Sequence, residues 1–288
     1  MRIEHHRIDF YVRELPLAGA QPALDPELHL LDGPLEHRAA FCLTLDAINF
    51  GSGWFPTIRK RPGRSGYGTV AGALRDHFAA AGPWSPAELA RLEPIEVARA
   101  LGQDPGHELI PLWTDALRSV GARVERAHHG DWLDVLAAAG GSAVGLVELL
   151  ADWDAFADVS LYEDRPVPFY KRAQITAADL HHAGVVDFHD LDHLTMFADN
   201  LVPHVLRLDG VLTFSDDLAA RIEAGVPIEH GSPEEVEIRA AAVHAVELLV
   251  DAGDGTVSAA EIDYVLWNRG GEPAYKGRPR HRSRTTAY

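Results

Sequence analysis

Three helix-start signals set the fold class that this sequence can adopt. A serine followed three residues later by glutamate occurs at Ser85, Ser232 and Ser258, and the first two serines precede a proline. A serine hydroxyl caps the free N–H groups of a first helical turn, and proline suits the first helical position. These signals predict helices that start near residues 86, 233 and 259.

Apolar residues at helical spacing extend this prediction to most of the chain. They predict buried helices around 133–149 and 238–249, and further helices over 113–128, 170–182, 193–207 and 215–224. Turn residues between 51 and 68 predict a small hairpin or ordered loop. Since no repeat or flexible linker divides the sequence, we expect a mostly α fold with a single compact helical domain over residues 1–288.

Length and charge narrow the class of function. The 288 residues are 47% hydrophobic, yet the sequence has no apolar stretch of the roughly 20 residues that would span a bilayer. We therefore expect a cytoplasmic globular protein without a membrane partner. The formal charge of −17 argues against binding of long nucleic acid and favours a small-molecule substrate. The oligomeric state is left open.

Metal and cofactor signals are weak. Residues 250–261 place Asp254 and Glu261 at calcium-loop spacing, but carboxylates are missing at the first and third positions. His189 and His193 would share a face only if their segment were helical. The single cysteine, Cys42, excludes a thiolate cage and is expected in the core. With no glycine-rich phosphate loop either, we expect no metal and no cofactor.

The strongest chemical signal is a set of acids among large apolar residues. Burying a carboxylate costs several kcal/mol unless it is paired or used. The acids and their polar or aromatic neighbours are Asp46 with Asn49 and Phe50, Asp199 with Phe197, Glu237, Asp263 with Tyr264 and Trp267, and the Lys171, Arg172 and Gln174 of FYKRAQI. Aromatic faces, acids and cations together suit a nucleotide. For the basic segment 276–284 two alternatives are open. It contacts a phosphate or a neighbouring acidic face, or it is a solvated tail.

At these motifs the sequence resembles the queuosine salvage protein family, the queuosine 5′-phosphate N-glycosylase/hydrolases. The resemblance covers nearly the whole chain and rests on LDAINF at 45–50, LYEDRPVPFYKRAQI at 161–175, LTMFADNLVPHVLR at 194–207, FSDDL at 214–218, EVEIRAAAVHAVEL at 235–248, IDYVLW at 262–267 and PRHRSRTTAY at 279–288.

This resemblance implies a fold similar to helical DNA glycosylases. It also implies cofactor-free hydrolysis of queuosine 5′-monophosphate, and possibly of queuosine, to queuine, which is salvaged for tRNA modification. Asp199 is then the catalytic carboxylate. Asp46 and Asp263 are candidates for contacting the base and its cationic side arm, with the assignment between them open. Lys171 or Arg172 is the candidate for the phosphate.

Aromatic walls for the base are predicted at Phe50, Phe197, Tyr264 and Trp267, against ordinary core packing as the alternative for each. Two other functions stay open. One is a non-catalytic queuosine-binding protein, and the other is a repair glycosylase acting on nucleic acid, against which the acidic charge argues.

Overall fold

A computed structural model describes residues 1–253 and 256–288. The calcium-loop interpretation of 250–261 falls partly outside these residues, because it depends on Asp254 and Gly255.

The described chain is mostly helical, as predicted, and its two small sheets have two strands each. The helices are α1 His5–Glu14, α2 Leu35–Ala47, α3 Gly66–Ala81, α4 Pro86–Leu89, α5 Pro94–Ala100, α6 Leu109–Ala127, α7 Trp132–Ala138, α8 Ala143–Ala151, α9 Lys171–His182, α10 Val202–Leu208, α11 Asp216–Glu223, α12 Pro233–Ala252, α13 Ala259–Gly270 and α14 Pro273–Lys276. The strands are β1 Arg2–Ile3, β2 Val159–Tyr162, β3 Arg165–Pro168 and β4 Leu212–Thr213.

The three predicted helix starts are confirmed. Ser85, Ser232 and Ser258 each precede a helix and accept a hydrogen bond from the backbone N–H three residues on. Ser85 and Ser258 form the reciprocal capping box, whereas the carboxylate of Glu235 accepts from the N–H of Gly231 instead. Side-chain caps of this kind stabilise a helix by about 1 kcal/mol.

One local prediction needs correction. The predicted helix 193–207 is helical only from Val202, after a single 3₁₀ turn at Leu191–His193. Residues 51–65 form an ordered run of turns, which is the ordered-loop alternative of the prediction for 51–68, and a hairpin that was not predicted lies in β2 and β3. Its turn residues Glu163 and Asp164 both have positive φ, as a tight hairpin requires, but they are not the usual Asn-Gly signal.

The helices pack around two clusters of buried apolar side chains. The first is built mainly from α2, α3 and α5–α9, and includes Trp113, Trp132 and the predicted core residue Cys42. The second is built from α1 and α10–α13, and includes Met196 and Leu266. Together they give one compact, mostly α-helical domain. The chain crosses from one cluster to the other at Phe169, which belongs to the second, and Ala173, which belongs to the first.

This crossing is held by a buried ion pair. The guanidinium of Arg239 donates two hydrogen bonds to the carboxylate of Asp158, at 2.9 and 2.6 Å, and a third to the carbonyl of Ala198. Asp158 also accepts from the backbone N–H of Lys171. Tyr170, between the clusters, has a left-handed backbone (φ 48°), a conformation that costs on the order of 1 kcal/mol and needs such support.

Among the described helices, none is by itself long and apolar enough to cross a membrane. The pair α7 and α8 reaches the required length and composition only together, and it is bent by 113°.

Candidate active site

Four titratable side chains from separate parts of the chain meet where the two clusters adjoin. Asp46 lies at the end of α2, Lys171 begins α9, Asp199 precedes α10, and Asp263 lies in α13. Lys171 is close enough to all three acids for each to raise its pKa, although burial lowers that pKa more. One buried ammonium group therefore faces three carboxyl groups.

Asp199 is the most accessible of the three acids and is held rigidly. It is half-buried, and its Oδ1 accepts hydrogen bonds from the backbone N–H groups of Leu201 at 2.7 Å and Val202 at 3.3 Å. These donors open α10, and they stabilise the ionised carboxylate. Its other oxygen, Oδ2, carries no protein hydrogen bond in the described residues, so the carboxylate can act on a ligand.

Asp263 is buried beside Asp199. Burial raises the pKa of Asp263 well above its usual value, and the charge of Asp199 raises it further. Its Oδ1 accepts a hydrogen bond from the backbone N–H of Phe197, 3.1 Å away. Burial therefore favours the protonated form of Asp263.

Asp46 forms a second pair of acids, with Asp179 of α9. Burial, followed by the charge of Asp179, raises the pKa of Asp46 well above its usual value. Burial also raises the pKa of Asp179, to about 7. The Oδ2 atom of Asp46 is buried without a hydrogen-bond partner in the part of the chain described, so the protein contacts leave this polar atom unsatisfied.

An aromatic chain leads outward from this second pair. The hydroxyl of Tyr67 lies 2.8 Å from Nε2 of His29, and the same ring nitrogen is 4.0 Å from a carboxylate oxygen of Asp179. The ring of Tyr67 packs edge-on against Trp267, which is 41% exposed. Trp267 lies one helical turn after Asp263, on the same face of α13.

Two of the predicted binding residues, Arg172 and Phe50, lie in the core. The guanidinium of Arg172 is buried, donates to the carbonyl of Ala47 and lies over the rings of Phe50 and Phe156. Phe50 is correspondingly buried in the first cluster. The two side chains fill the core beneath the cluster of acids, because a guanidinium without water needs both a carbonyl acceptor and aromatic faces.

Gln174 has its side-chain amide occupied. It donates to the carbonyl of Phe169 and the hydroxyl of Thr195, and it accepts from the backbone N–H of Thr195. The contacts fasten the loop that carries Asp199 to α9. The structure therefore makes Gln174 a residue that positions this loop.

Glu237 lies apart from the acids around Lys171. Its carboxylate accepts from the hydroxyl of Tyr162 and lies 3.6 Å from the N-terminal amino group. It lines a surface depression of about 690 Å³ between α12 and the first residues of the chain. A second depression, of about 420 Å³, lies near His77 and Trp84 in the first cluster, also away from these acids.

The remaining predicted residues border the site. Asn49 donates to Oδ1 of Asp46 at 3.4 Å, and its carbonyl accepts from Nζ of Lys171 at 3.2 Å. Phe197 and Tyr264 are half-buried and flank Asp263, the first through its backbone and the second in sequence.

Sequence reasoning missed Asp179, Tyr67 and His29. Asp179 was detectable, because it follows Lys171 by eight residues in a predicted helix, and positions that far apart lie on the same side of a helix. Tyr67 and His29 carried no local signal, since only long-range packing brings them to Asp46.

Fold and site together define a mostly helical protein with carboxyl groups gathered around one buried lysine. The family described as queuosine salvage protein matches residues 28–288. The chain belongs to that family.

Relatives span bacteria and eukaryotes. The chain is 35% identical over 279 residues to a protein of Sphaerobacter thermophilus named queuosine 5′-phosphate N-glycosylase/hydrolase, covering 93% of this chain and 86% of the relative. Proteins of the same name from Dictyostelium discoideum and Mus musculus are 38% and 33% identical, over 60% and 55% of this chain. These two matches span 56% and 52% of the relatives' own length.

Proposed function

We propose that this chain, as a single domain, hydrolyses the N-glycosidic bond of queuosine 5′-monophosphate, releasing queuine and ribose 5-phosphate without a metal or cofactor. The observation that carries the proposal is the fixed Asp199 carboxylate beside Lys171 and the buried Asp263. The shared name of the relatives supplies the substrate.

Asp199 acts on the sugar in this proposal. As the bond from the anomeric carbon to the base nitrogen breaks, positive charge develops on the ribose, and a fixed carboxylate stabilises it. The backbone donors on Oδ1 hold Asp199 in place, so no reorganisation is needed during the reaction. Water then adds to the anomeric carbon, directly or after capture of the sugar by Asp199.

Asp263 is assigned to the departing base. Queuine lacks the ring N7 that purine glycosidases protonate, so the negative charge that builds on the leaving base must be met at another atom. A carboxyl group that keeps its proton at neutral pH donates a hydrogen bond there. Its position next to Asp199 supports this assignment.

Asp46 and Asp179 are assigned to the side arm of queuine. That arm carries a secondary amine that is charged at neutral pH. A cation placed beside two acids that share a proton favours ionisation of both, and the resulting pairing is strong in a buried site. Tyr67 and Trp267, with Phe197 and Tyr264, would provide aromatic surface for the base.

Lys171 offsets the charge of the acids. With Asp46, Asp199 and Asp263 around it, the ammonium group keeps three carboxyl groups compatible with one small volume. Its contact with the carbonyl of Asn49 fixes its position.

A product assay tests the proposal. The purified chain is incubated with queuosine 5′-monophosphate and separately with queuosine, and queuine is followed by chromatography. We expect release from the monophosphate. Tight binding without release would instead support a queuosine-binding protein, and base release from duplex DNA would support a repair glycosylase.

The choice of a small substrate over long nucleic acid follows from charge, and a cytoplasmic location is part of the proposal. A chain with a net charge of −17 repels the phosphate backbone of long nucleic acid. No membrane partner is proposed.

A further inference from the structure

The C-terminal segment 279–288 is an ordered part of the fold. From His281 onward, buried and more exposed residues alternate, with His281, Ser283 and Thr285 buried. Arg280, Arg282 and Arg284 occupy the alternate positions of the same segment. The solvated-tail interpretation of the basic segment 276–284 is therefore wrong for residues 281–284.

Backbone contacts fix the segment in place. The carbonyl of Tyr288 accepts from the N–H of Gly51, and the carbonyl of Arg282 accepts from the N–H of Ile228. The carbonyl of Ser283 lies against Gly53, where any Cβ would clash with it. Residues that surround the segment on both sides thus hold its arginines at defined positions.

The three arginines differ in their acidic partners. Arg284 pairs with Glu108 at 2.9 Å. Within residues 1–253 and 256–288, no carboxylate lies within 4 Å of the guanidinium of Arg280 or Arg282. Nε of Arg280 is buried without a hydrogen-bond partner there, and Arg282 donates only to the carbonyl of Ser52.

This arrangement is unfavourable in the protein alone. Burial lowers the pKa of Arg280, and the neighbouring charge of Arg282 lowers it further, while Asp199 raises it. Two adjacent guanidinium groups without a carboxylate, in a chain with 43 acidic residues, are typical of an anion site.

The pair also lies beside the catalytic carboxylate. Asn200, which follows Asp199 directly, donates from its side-chain amide to the hydroxyl of Ser52 at 2.8 Å and to the carbonyl of His281 at 3.4 Å. His281 separates the two arginines in sequence. A ribose with its anomeric carbon at Asp199 therefore has the arginines within reach of its other substituents.

We propose that Arg280 and Arg282 bind the 5′-phosphate of the nucleotide substrate and make the monophosphate the preferred substrate. The inference rests on the proposed function. It replaces the expectation for Lys171 or Arg172, since the guanidinium of Arg172 is enclosed in the core and Lys171 already faces three acids that would repel a dianion.

The test compares two substrates in a set of variants. For Arg280→Gln and Arg282→Gln, kcat/KM for queuosine 5′-monophosphate should fall about 10- to 100-fold, as expected for loss of one charge-assisted contact. The value for queuosine should change less than about twofold. Arg280→Lys should retain part of the preference. Arg284→Gln, in the same segment but paired with Glu108, is the matched control and should behave as wild type.

An equal fall for both substrates would assign the arginines a structural role and overturn the proposal. So would an unchanged preference for the monophosphate in both glutamine variants.

A binding measurement separates this inference from the proposed function. Inorganic phosphate should raise the melting temperature of the wild-type chain and of Arg284→Gln, but not of Arg280→Gln. If it does so and neither substrate is hydrolysed, the anion site stands and the proposed reaction fails. If the monophosphate is hydrolysed but phosphate stabilises all variants alike, the assignment to Arg280 is wrong and the reaction stands.

Discussion

Replacing Asp199 by asparagine separates the proposed catalytic role of this residue from its structural one. The structural role is visible, because Oδ1 accepts from the N–H groups of Leu201 and Val202 at the start of α10. Asparagine caps a helix about as well as aspartate. The side-chain carbonyl oxygen of the substituted asparagine should therefore keep both hydrogen bonds, and the melting temperature should stay close to that of wild type.

The expected loss of turnover follows from the second carboxylate oxygen, Oδ2. In Asp199→Asn a neutral amide replaces the oxygen that faces the developing charge on the sugar. Removal of one fixed electrostatic stabiliser costs about 3 to 5.5 kcal/mol in the transition state, so turnover should fall by about two to four orders of magnitude. Binding of the uncut substrate should change far less, because the ground-state sugar is neutral.

Single-turnover rate, substrate affinity and melting temperature, measured on one preparation, test this reasoning. Asp131→Asn is the matched control, because Asp131 is exposed and caps α7 through the N–H of Leu133, far in sequence from the site. A folded Asp199→Asn chain that binds substrate and turns over at the wild-type rate would refute the catalytic role. Parallel losses of stability, binding and rate would assign Asp199 to the cap alone.

Three further outcomes are expected. Because burial raises the pKa of Asp179 from 3.8 to about 7, the unfolded chain ionises first, and the free energy of unfolding should fall by up to about 4 kcal/mol between pH 4 and 7. Urea denaturation at pH 4 and 8 should show at least this fall in wild type and in exposed Asp192→Asn, and a smaller fall in Asp179→Asn, in which Asp46 and Asp263 still titrate. Arg239→Met should lower the free energy of unfolding by about 3–5 kcal/mol, because the charge of Asp158 stays buried without its partner. Arg239→Lys should not restore the loss, because lysine cannot form the two parallel hydrogen bonds. Activity should survive EDTA, and loss restored by one divalent ion would contradict this.

The helices of this fold could be predicted because their signals are local. Ser85, Ser232 and Ser258 cap the helices that the local sequence predicts, and the spacing of apolar residues predicted α9 and α12. The predicted helix 193–207 was wrong over its first half because tertiary contacts occupy its backbone. The N–H of Thr195 bonds to Gln174 and that of Phe197 to Asp263, so neither is free for a helical hydrogen bond.

The site was predictable as a set of acids but not as an arrangement. Asp46, Asp199 and Asp263 stood out because a carboxylate among large apolar residues needs a reason to be there. The motif FYKRAQI does not predict which of its two cations faces these acids, because adjacent residues of a helix point in different directions. Lys171 points to the acids, while Arg172 points into the core towards Phe156.

The charge distribution of the site argues for a nucleotide oriented in one direction. Asp46 and Asp179 lie at one end of the site. Burial favours the protonated forms of these acids, and a cationic substituent beside them would be stabilised. Arg280 and Arg282, which pair with no carboxylate of residues 1–253 and 256–288, bring positive charge to the Asp199 end. A substrate with a cationic arm on its base and an anionic phosphate on its ribose is stabilised in one orientation and destabilised in the reverse, in which phosphate would meet carboxylates. In the favoured orientation the bond between base and ribose lies between Asp263 and Asp199, which are the two acids assigned to opposite sides of that bond.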